Sequence, residues 1–440
     1  MHNSISRKWL VLTLIFLFVV TVLIPSMGGA VIKKISYLPI SNGNTFFVGG
    51  TEEGNYTTIQ DAIDNASDGD TVFVYDISSP YNENIIINNS ISLIGENKDT
   101  TIIDGSDNSD VIFVSADGVN ICGFKIQNCQ YEYDVGILIS SSFNTINNNI
   151  ITSNNGSGIF IAGRYFGPAC CNVISGNIIS SNKKYGIYIE GSGNNSINGN
   201  NIISNNYDGI YVSNSISNTI IDNNILNSGY GINIHDSNSN TIEGNNISNN
   251  KKGINLEGTS SNTINNNNII LNNYDGIYIF NSNSNNINGN NISNNECGIY
   301  LDGSDYNTIS GNTIKDNTRG IFISYFEIFI FENGDSSTFN IIKANNIYNN
   351  DLGIYLYVSS FNFILRNNFI GNQRDAFFRL CKNFWMLNFW NRPRILPKFI
   401  FGYIHRPRLL PKLILGRFGI LSLIPGVNID WRPALRPYDI

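Results

Sequence analysis

"GIYVSNSISNTIIDNNILNSGYGINIHDSNSNTIEGNNISNNKKG", residues 209–253, is one unit written twice, GIxI…NTIxxNNIxxN, at a period of about 22 residues. A unit this short has an apolar face that only stacked copies of itself can bury, so the period decides the architecture before local propensity does. The unit opens on Gly136, Gly158, Gly186, Gly209, Gly231, Gly253, Gly276, Gly298, Gly320 and Gly353, and Ala376 reads as the same place in a last, degraded copy. Two spacings are longer, at 28 and 33 residues, and hold insertions around 163–170 and 325–335. The register resumes after each, as a solenoid allows when extra residues bulge from one turn.

Within a unit the apolar residues alternate, as in Ile187-Tyr188-Ile189, Ile277-Tyr278-Ile279 and Ile321-Phe322-Ile323. Period two means short strands with an isoleucine face turned inward. A second strand centres on Ile197, Ile220, Ile242, Ile264 and Ile309, and a third on Ile202, Ile225, Ile247, Ile269 and Ile314. Three strands per 22 residues leave no room for a crossover helix. The predicted fold is all-β, a single-stranded right-handed parallel β-helix with three short strands per coil.

Asparagines mark the corners. One column runs from Asn144 to Asn362, two residues before each second-strand isoleucine, and another from Asn149 to Asn367, three residues after it. A third runs from Asn154 to Asn372, with Ser228 as its exception. Asn tolerates left-handed corners, and its amide can donate to one coil while accepting from the next, so these columns read as structural ladders.

Charged residues make up 14% of the chain, against about 25% in ordinary domains. The net charge of −7 argues against nucleic acid as a partner. Residues 1–30 read as a signal peptide or N-terminal anchor: Arg7 and Lys8 precede an apolar run over 9–24, then Gly28, Gly29 and Ala30. The expected location is secreted or cell-surface, with membrane attachment through that segment.

The one good helical pattern lies near 58–66, where Ile59, Ala62, Ile63 and Ala66 share a face. Thr57 with Gln60, or Thr58 with Asp61, can cap it. Such a helix would cover the open first coil. This stretch, "YTTIQDAIDNASDGDTVFVY" followed by "ENIIINNSISLIGENKDTTIIDG" and the GIxI…NTIxxNxI coils, resembles the NosD-like proteins of the pectin-lyase-like fold, common among archaeal surface proteins. The resemblance covers roughly 45–375. It implies a right-handed β-helix but no single activity, because that family mixes polysaccharide lyases, hydrolases, epimerases, copper-site accessory proteins and members without known chemistry.

The chain divides into 1–30, a β-helix over 45–375, and a basic, Pro-rich tail over 376–440. Residues 378–417 hold nine Lys and Arg and no Asp or Glu. "RPRILPKFIFGY" at 392–403 recurs as "RPRLLPKLILGR" at 406–417. Pro at these intervals forbids a continuous helix and favours extended segments. The tail reads as a cap over the last coil; the competing reading is a basic, apolar surface for anionic lipid or wall polymer.

Chemistry is sparse. Histidines are His2, His235 and His405 and methionines Met1, Met27 and Met386, which do not form the soft cluster that copper needs. His235 beside Asp236 reads as a solvated turn. Six cysteines, Cys122, Cys129, Cys170, Cys171, Cys297 and Cys381, leave their pairing open. Asp134, Asp208 and Asp275 precede turn glycines and are the basis of the one cofactor considered, Ca²⁺; otherwise no cofactor is expected. Asp302 and Asp305 are the nearest thing to a catalytic carboxylate pair.

The best binding candidate is the outward residue of the first strand: Phe160, Tyr188, Tyr211, Asn233, Asn255, Tyr278, Tyr300, Phe322 and Tyr355. An exposed aromatic stripe suits sugar rings, although aromatics also simply fit a pleated surface. The sequence therefore points to an exported, non-catalytic surface solenoid that binds carbohydrate or builds the envelope. A polysaccharide lyase or C5-epimerase is the alternative, and a copper-site accessory protein a more distant one.

Overall fold

Ile232, Ile234, Ile242 and Ile247 close one coil: all four point inward and are fully buried. A computed structural model describes residues 43–105, 109–163, 167, 169–325, 337–405 and 423–440. The expected export segment at 1–30 and most of the 325–335 insertion lie outside them. The coil around Ile232 has a first strand Tyr230–His235, a second Thr241–Glu243 and a third Asn246–Ser248. The next coil pairs with it in parallel, Ile232 on Ile254, Ile242 on Ile264 and Ile247 on Ile269. Repetition gives three stacks of strands around one aliphatic core. The third strands form a 14-stranded sheet, and the first and second stacks are joined as one 30-stranded sheet through a C-terminal hairpin.

The first two asparagine columns are continuous hydrogen-bonded ladders, and the third is a ladder broken once. Asn245 accepts from the backbone N–H and the Nδ2 of Asn223 at 2.9 and 3.0 Å, and donates to Asn267 Oδ1 at 2.9 Å and to the Ile220 carbonyl at 2.9 Å. Each rung thus satisfies corner amides that the strands cannot reach. Ser228 interrupts its column but still donates its N–H to Asn250 Oδ1 at 2.9 Å. A serine column that the sequence reading passed over does similar work at the first corner, with Ser192 N–H on Ser215 Oγ and Ser215 N–H on Ser237 Oγ.

The opening glycines are required by space. A Cβ on Gly231 would stand 2.5 Å from Ile247 Cγ2 and 2.7 Å from the Gly253 carbonyl oxygen. Gly231→Ala is expected to cost about 1–3 kcal/mol through that overpacking, read as a lower denaturant midpoint. The same geometry corrects the last repeat. Gly353 faces the Asp375 carbonyl, and Ile354 pairs with Ala376, so Asp375 holds the glycine place and Ala376 an inward one. The sequence places this repeat one residue late because Asp375 does not look like a turn glycine.

Both ends are closed. Helix α1, Ile59–Asn65, takes the place of a first strand, with Ile59, Ala62 and Ile63 buried and Thr58 Oγ1 accepting from Asp61 N–H at 3.2 Å. Gln60 lies against the free edge of the first stack. Its Oε1 accepts from Ile86 N–H at 2.8 Å and its Nε2 donates to the Ile86 carbonyl at 3.2 Å, so one side-chain amide replaces a missing strand. Glu83 adds a cap that the sequence did not suggest, accepting from Ile59 and Gln60 N–H, both at 2.9 Å.

At the other end, the expected boundary at 375/376 cuts a strand, Arg374–Arg379. One more coil follows, through Phe384–Met386 and Phe389–Trp390, because Phe378, Trp385 and Trp390 fill inward places that isoleucine fills elsewhere. The antiparallel hairpin Lys398–His405 and Leu423–Asp430 then covers two stacks. Asp430 ends an asparagine ladder: its Oδ2 accepts from Asn388 N–H, Asn388 Nδ2 and Trp390 Nε1 at 3.0, 3.1 and 3.0 Å. Among the described residues of the tail, the last ones run back along the solenoid, where Tyr438 N–H donates to Asn368 Oδ1 at 2.9 Å.

Candidate functional site

Because inward isoleucines alternate with outward residues, each first strand offers a short outer row. On three successive coils the rows are Tyr230, Asn233 and His235, then Lys252, Asn255 and Glu257, then Asp275, Tyr278 and Phe280, stacked in register. At about 4.8 Å per coil, residues far apart in sequence meet as neighbours.

The stripe is present but divided. Phe160, Tyr188 and Tyr211 form one stack, joined by Tyr185, and Tyr278, Tyr300, Phe322 and Tyr355 form another that continues to Phe377. Phe160 and Tyr188 lie 4.5 Å apart and 5° from parallel, and Phe322 and Tyr355 lie 4.9 Å apart and 7° from parallel. Rings stacked this way cover one another's faces and turn edges and hydroxyls outward. Tyr278 and Tyr300 are the tilted pair, at 5.0 Å and 51°.

Between the stacks lies a polar window. Asn255 Nδ2 donates to Asn233 Oδ1, and Asn233 Nδ2 to Asp208 Oδ2, both at 2.9 Å. Asp208 Oδ1 also accepts from Tyr230 N–H at 2.8 Å. Lys252 Nζ sits 3.2 Å from Asp275 Oδ2 and 3.3 Å from the centre of the Tyr278 ring, a cation on an aromatic face. Tyr278 and Tyr300 both direct their hydroxyls at Asp302 Oδ2, at 3.4 and 3.3 Å, and Tyr300 shares a 2.9 Å hydrogen bond with Ser324 Oγ.

Burial governs the protons here. It pushes Lys252 below the usual ammonium range, opposed by Asp275, and lifts the Asp275 carboxyl, opposed by Lys252. Burial, reinforced by Asp302, raises the Tyr278 and Tyr300 phenols, and burial with Asp208 lifts Tyr185 to about 12. The phenols therefore stay protonated near neutral pH and act as donors. Asn255, Asp275 and Asp302 are buried and hold the face together from beneath, while the partly exposed Asn233 amide, Lys252 ammonium and Tyr278 and Tyr300 phenols are the groups it offers to sugar hydroxyls and carboxylates.

The other candidates separate. Asp302 faces the phenols, whereas Asp305 caps the following corner, accepting from Thr338 Oγ1 at 3.0 Å, so the two do not work as a carboxylate pair. His235 is half-buried, 3.4 Å from Asp236, in the same outer row as Asn233. Asp134 lies away from the window, with a buried Oδ2 that has no hydrogen-bond partner. All six cysteines are free. Among the described residues no group of three His, Cys, Asp or Glu is placed to hold a metal ion.

The sequence reading missed Tyr230, Lys252 and Glu257, whose columns change residue type between neighbouring coils, and it paired Asp302 with Asp305 rather than with the two phenols. It also missed Tyr306, Phe339 and Phe361, exposed rings at successive corners, 5.4 and 5.9 Å apart. Their signal was available: an aromatic directly before a ladder asparagine, where other coils carry serine.

Comparison with known proteins bears on the fold. The family described as "Right handed beta helix region" matches residues 166–305 and 252–383, and "Protein of unknown function (DUF1565)" matches 41–217. No curated protein matches the chain. Similar solved structures include the A-modules of two Azotobacter vinelandii mannuronan C-5 epimerases. AlgE6 shows 19% identity and a TM-score of 0.53, covering 72% of this chain and 90% of that one. AlgE4 shows 16% identity and a TM-score of 0.56, covering 72% and 92%. An alginate lyase of the type PL6, solved with a trisaccharide, shows 14% identity and a TM-score of 0.51, covering 75% and 86%. At such identities the likeness speaks for the fold alone.

Proposed function

This chain is a right-handed parallel β-helix protein, and from that premise we propose that it is an exported, cell-surface solenoid that binds glycan across the polar window of its outer face. The observation that carries this reading is the hydrogen-bonded run Asp208–Asn233–Asn255, in register beside Tyr278 with Lys252 over its ring, bounded on both sides by stacked rings. The rings stiffen the walls, and the Asn233 amide, the Lys252 ammonium and the phenols supply the recognition. Residues 1–30 would export the chain or hold it to the membrane.

The test is Lys252→Gln combined with Tyr278→Phe, which keeps the ring stack and removes two polar groups. Binding to a glycan panel is expected to weaken at least about tenfold, since hydrogen bonds to charged groups are worth about 1.5–3 kcal/mol, while the protein stays folded with a melting temperature lowered by the loss of the cation beside the buried Asp275. Unchanged affinity for every glycan that wild type binds would remove the window from the account.

A second reading is polyuronate lyase or C5-epimerase chemistry at the same place. It is favoured by Lys252, held beside Tyr278 with burial easing loss of its proton, and by the epimerases and lyase among the similar structures. Incubation with alginate separates the two readings. Unsaturated uronate, or solvent deuterium at C5, formed by wild type and lost in Lys252→Gln would replace simple binding by catalysis.

A further inference from the structure

We propose that the outer face of the C-terminal hairpin is a docking surface for an anionic lipid bilayer. In the strand Lys398–His405 the side chains alternate, so Ile400 faces inward while Phe399, Phe401 and Tyr403 point outward, exposed by 52%, 64% and 43%. Val427, directly opposite Phe401 in the antiparallel pair and therefore on the same face, is exposed by 47%. Four large apolar side chains thus share one open surface, where a soluble face would carry polar residues.

Cations frame it. Arg379 stands beside Tyr403 in register, and Arg374 lies over Phe377 at 3.9 Å and donates to the Phe401 carbonyl at 3.3 Å. The charge of the whole chain is divided the same way. Residues 374–440 contain twelve Lys and Arg against three Asp, whereas residues 1–373 contain fifteen Lys and Arg against 31 Asp and Glu. An aromatic face rimmed by arginines on a basic part of an acidic molecule matches a headgroup layer: rings settle at the interface and cations meet lipid phosphates. An acidic glycan would answer the arginines but leave Phe399, Phe401 and Val427 in water. Lipid is therefore the occupant this surface favours.

The test uses the full chain with phosphatidylcholine vesicles made with and without phosphatidylglycerol, reading the increment in binding that the anionic lipid adds. The apolar run at 9–24 is common to wild type and variants, so it cancels in that comparison. Arg374→Gln with Arg379→Gln is expected to reduce the increment at least about tenfold, and Phe401→Ser to weaken binding to the mixed vesicles without lowering the melting temperature. The proposal is overturned if phosphatidylglycerol adds nothing, or if both variants bind like wild type. It is equally overturned if the hairpin variants lose binding to soluble alginate while keeping vesicles, or if Phe401→Ser abolishes self-association instead of vesicle binding.

Discussion

Ile242→Asp is expected to yield no folded protein. Ile242 has no solvent exposure and sits between Ile220 and Ile264 in the second-strand stack. Removing the side chain alone would cost about 2–5 kcal/mol, and an unpaired carboxyl in its place adds several more. A domain's entire stability is about 5–15 kcal/mol. Circular dichroism and the yield of soluble protein measure the outcome, with Ile242→Val, expected to cost about 0.5–1.5 kcal/mol, as the conservative control. An aspartate variant that melts like wild type would mean the second strand faces the other way.

Asn267→Leu tests the ladders. Asn267 accepts from Asn245 N–H and Nδ2 at 3.0 and 2.9 Å, and donates to the carbonyls of Ile242 and Asn265 and to Asn290 Oδ1. Leucine fills much the same space but orphans these buried partners, each at about 1–3 kcal/mol, so a loss of at least about 3 kcal/mol is expected. Asn246 is the informative contrast. It also takes part in an asparagine column, donating to Asn224 Oδ1 at 2.9 Å and accepting from Asn268 Nδ2 at 2.8 Å, but it is exposed. Water replaces what Asn246→Ala removes, so that change should cost about 0.5–1 kcal/mol. Because each coil touches only its neighbours, hydrogen exchange should localise the damage in Asn267→Leu to the adjoining coils. Equal losses in the two variants would show that burial is not what gives the ladder its strength.

The N-terminal cap was legible at the level of the helix. Its buried face follows from local spacing, as does the Thr58 cap, one of two alternatives that the sequence allowed. The pairing of Gln60 with Ile86 and of Glu83 with the helix start was not, since each joins residues from different coils. At the other end, the basic, Pro-rich composition after residue 376 hid one more coil. Composition changed there while the geometry did not: Phe378, Trp385 and Trp390 took over inward places, and Asp375 stood where a glycine was expected.

The candidate site divides in the same way. The outward position of Tyr278 and Tyr300 followed from strand alternation, but that most of the stripe's rings would spend their faces on one another followed only from the stacking distance between coils. Asn233 and Asn255 looked like interruptions of the stripe. In the structure they hydrogen-bond to one another and to Asp208, with Asn255 in register beside Tyr278, and so form the window that the rings enclose.

By itself, then, the sequence determined the period, the inward isoleucines and the registers of the asparagine ladders. Each of these is a residue type repeated at a fixed place, and the stacking of identical coils turns that repetition directly into contact. The tertiary structure alone decided which unlike residues meet across coils, such as Lys252 with Asp275 and Tyr278, and how the ladder closes on Asp430. Those contacts join unlike residues, so no repeat of a single residue type announces them. They exist only because coils stack within about 4.8 Å and half-bury whatever their outer rows carry.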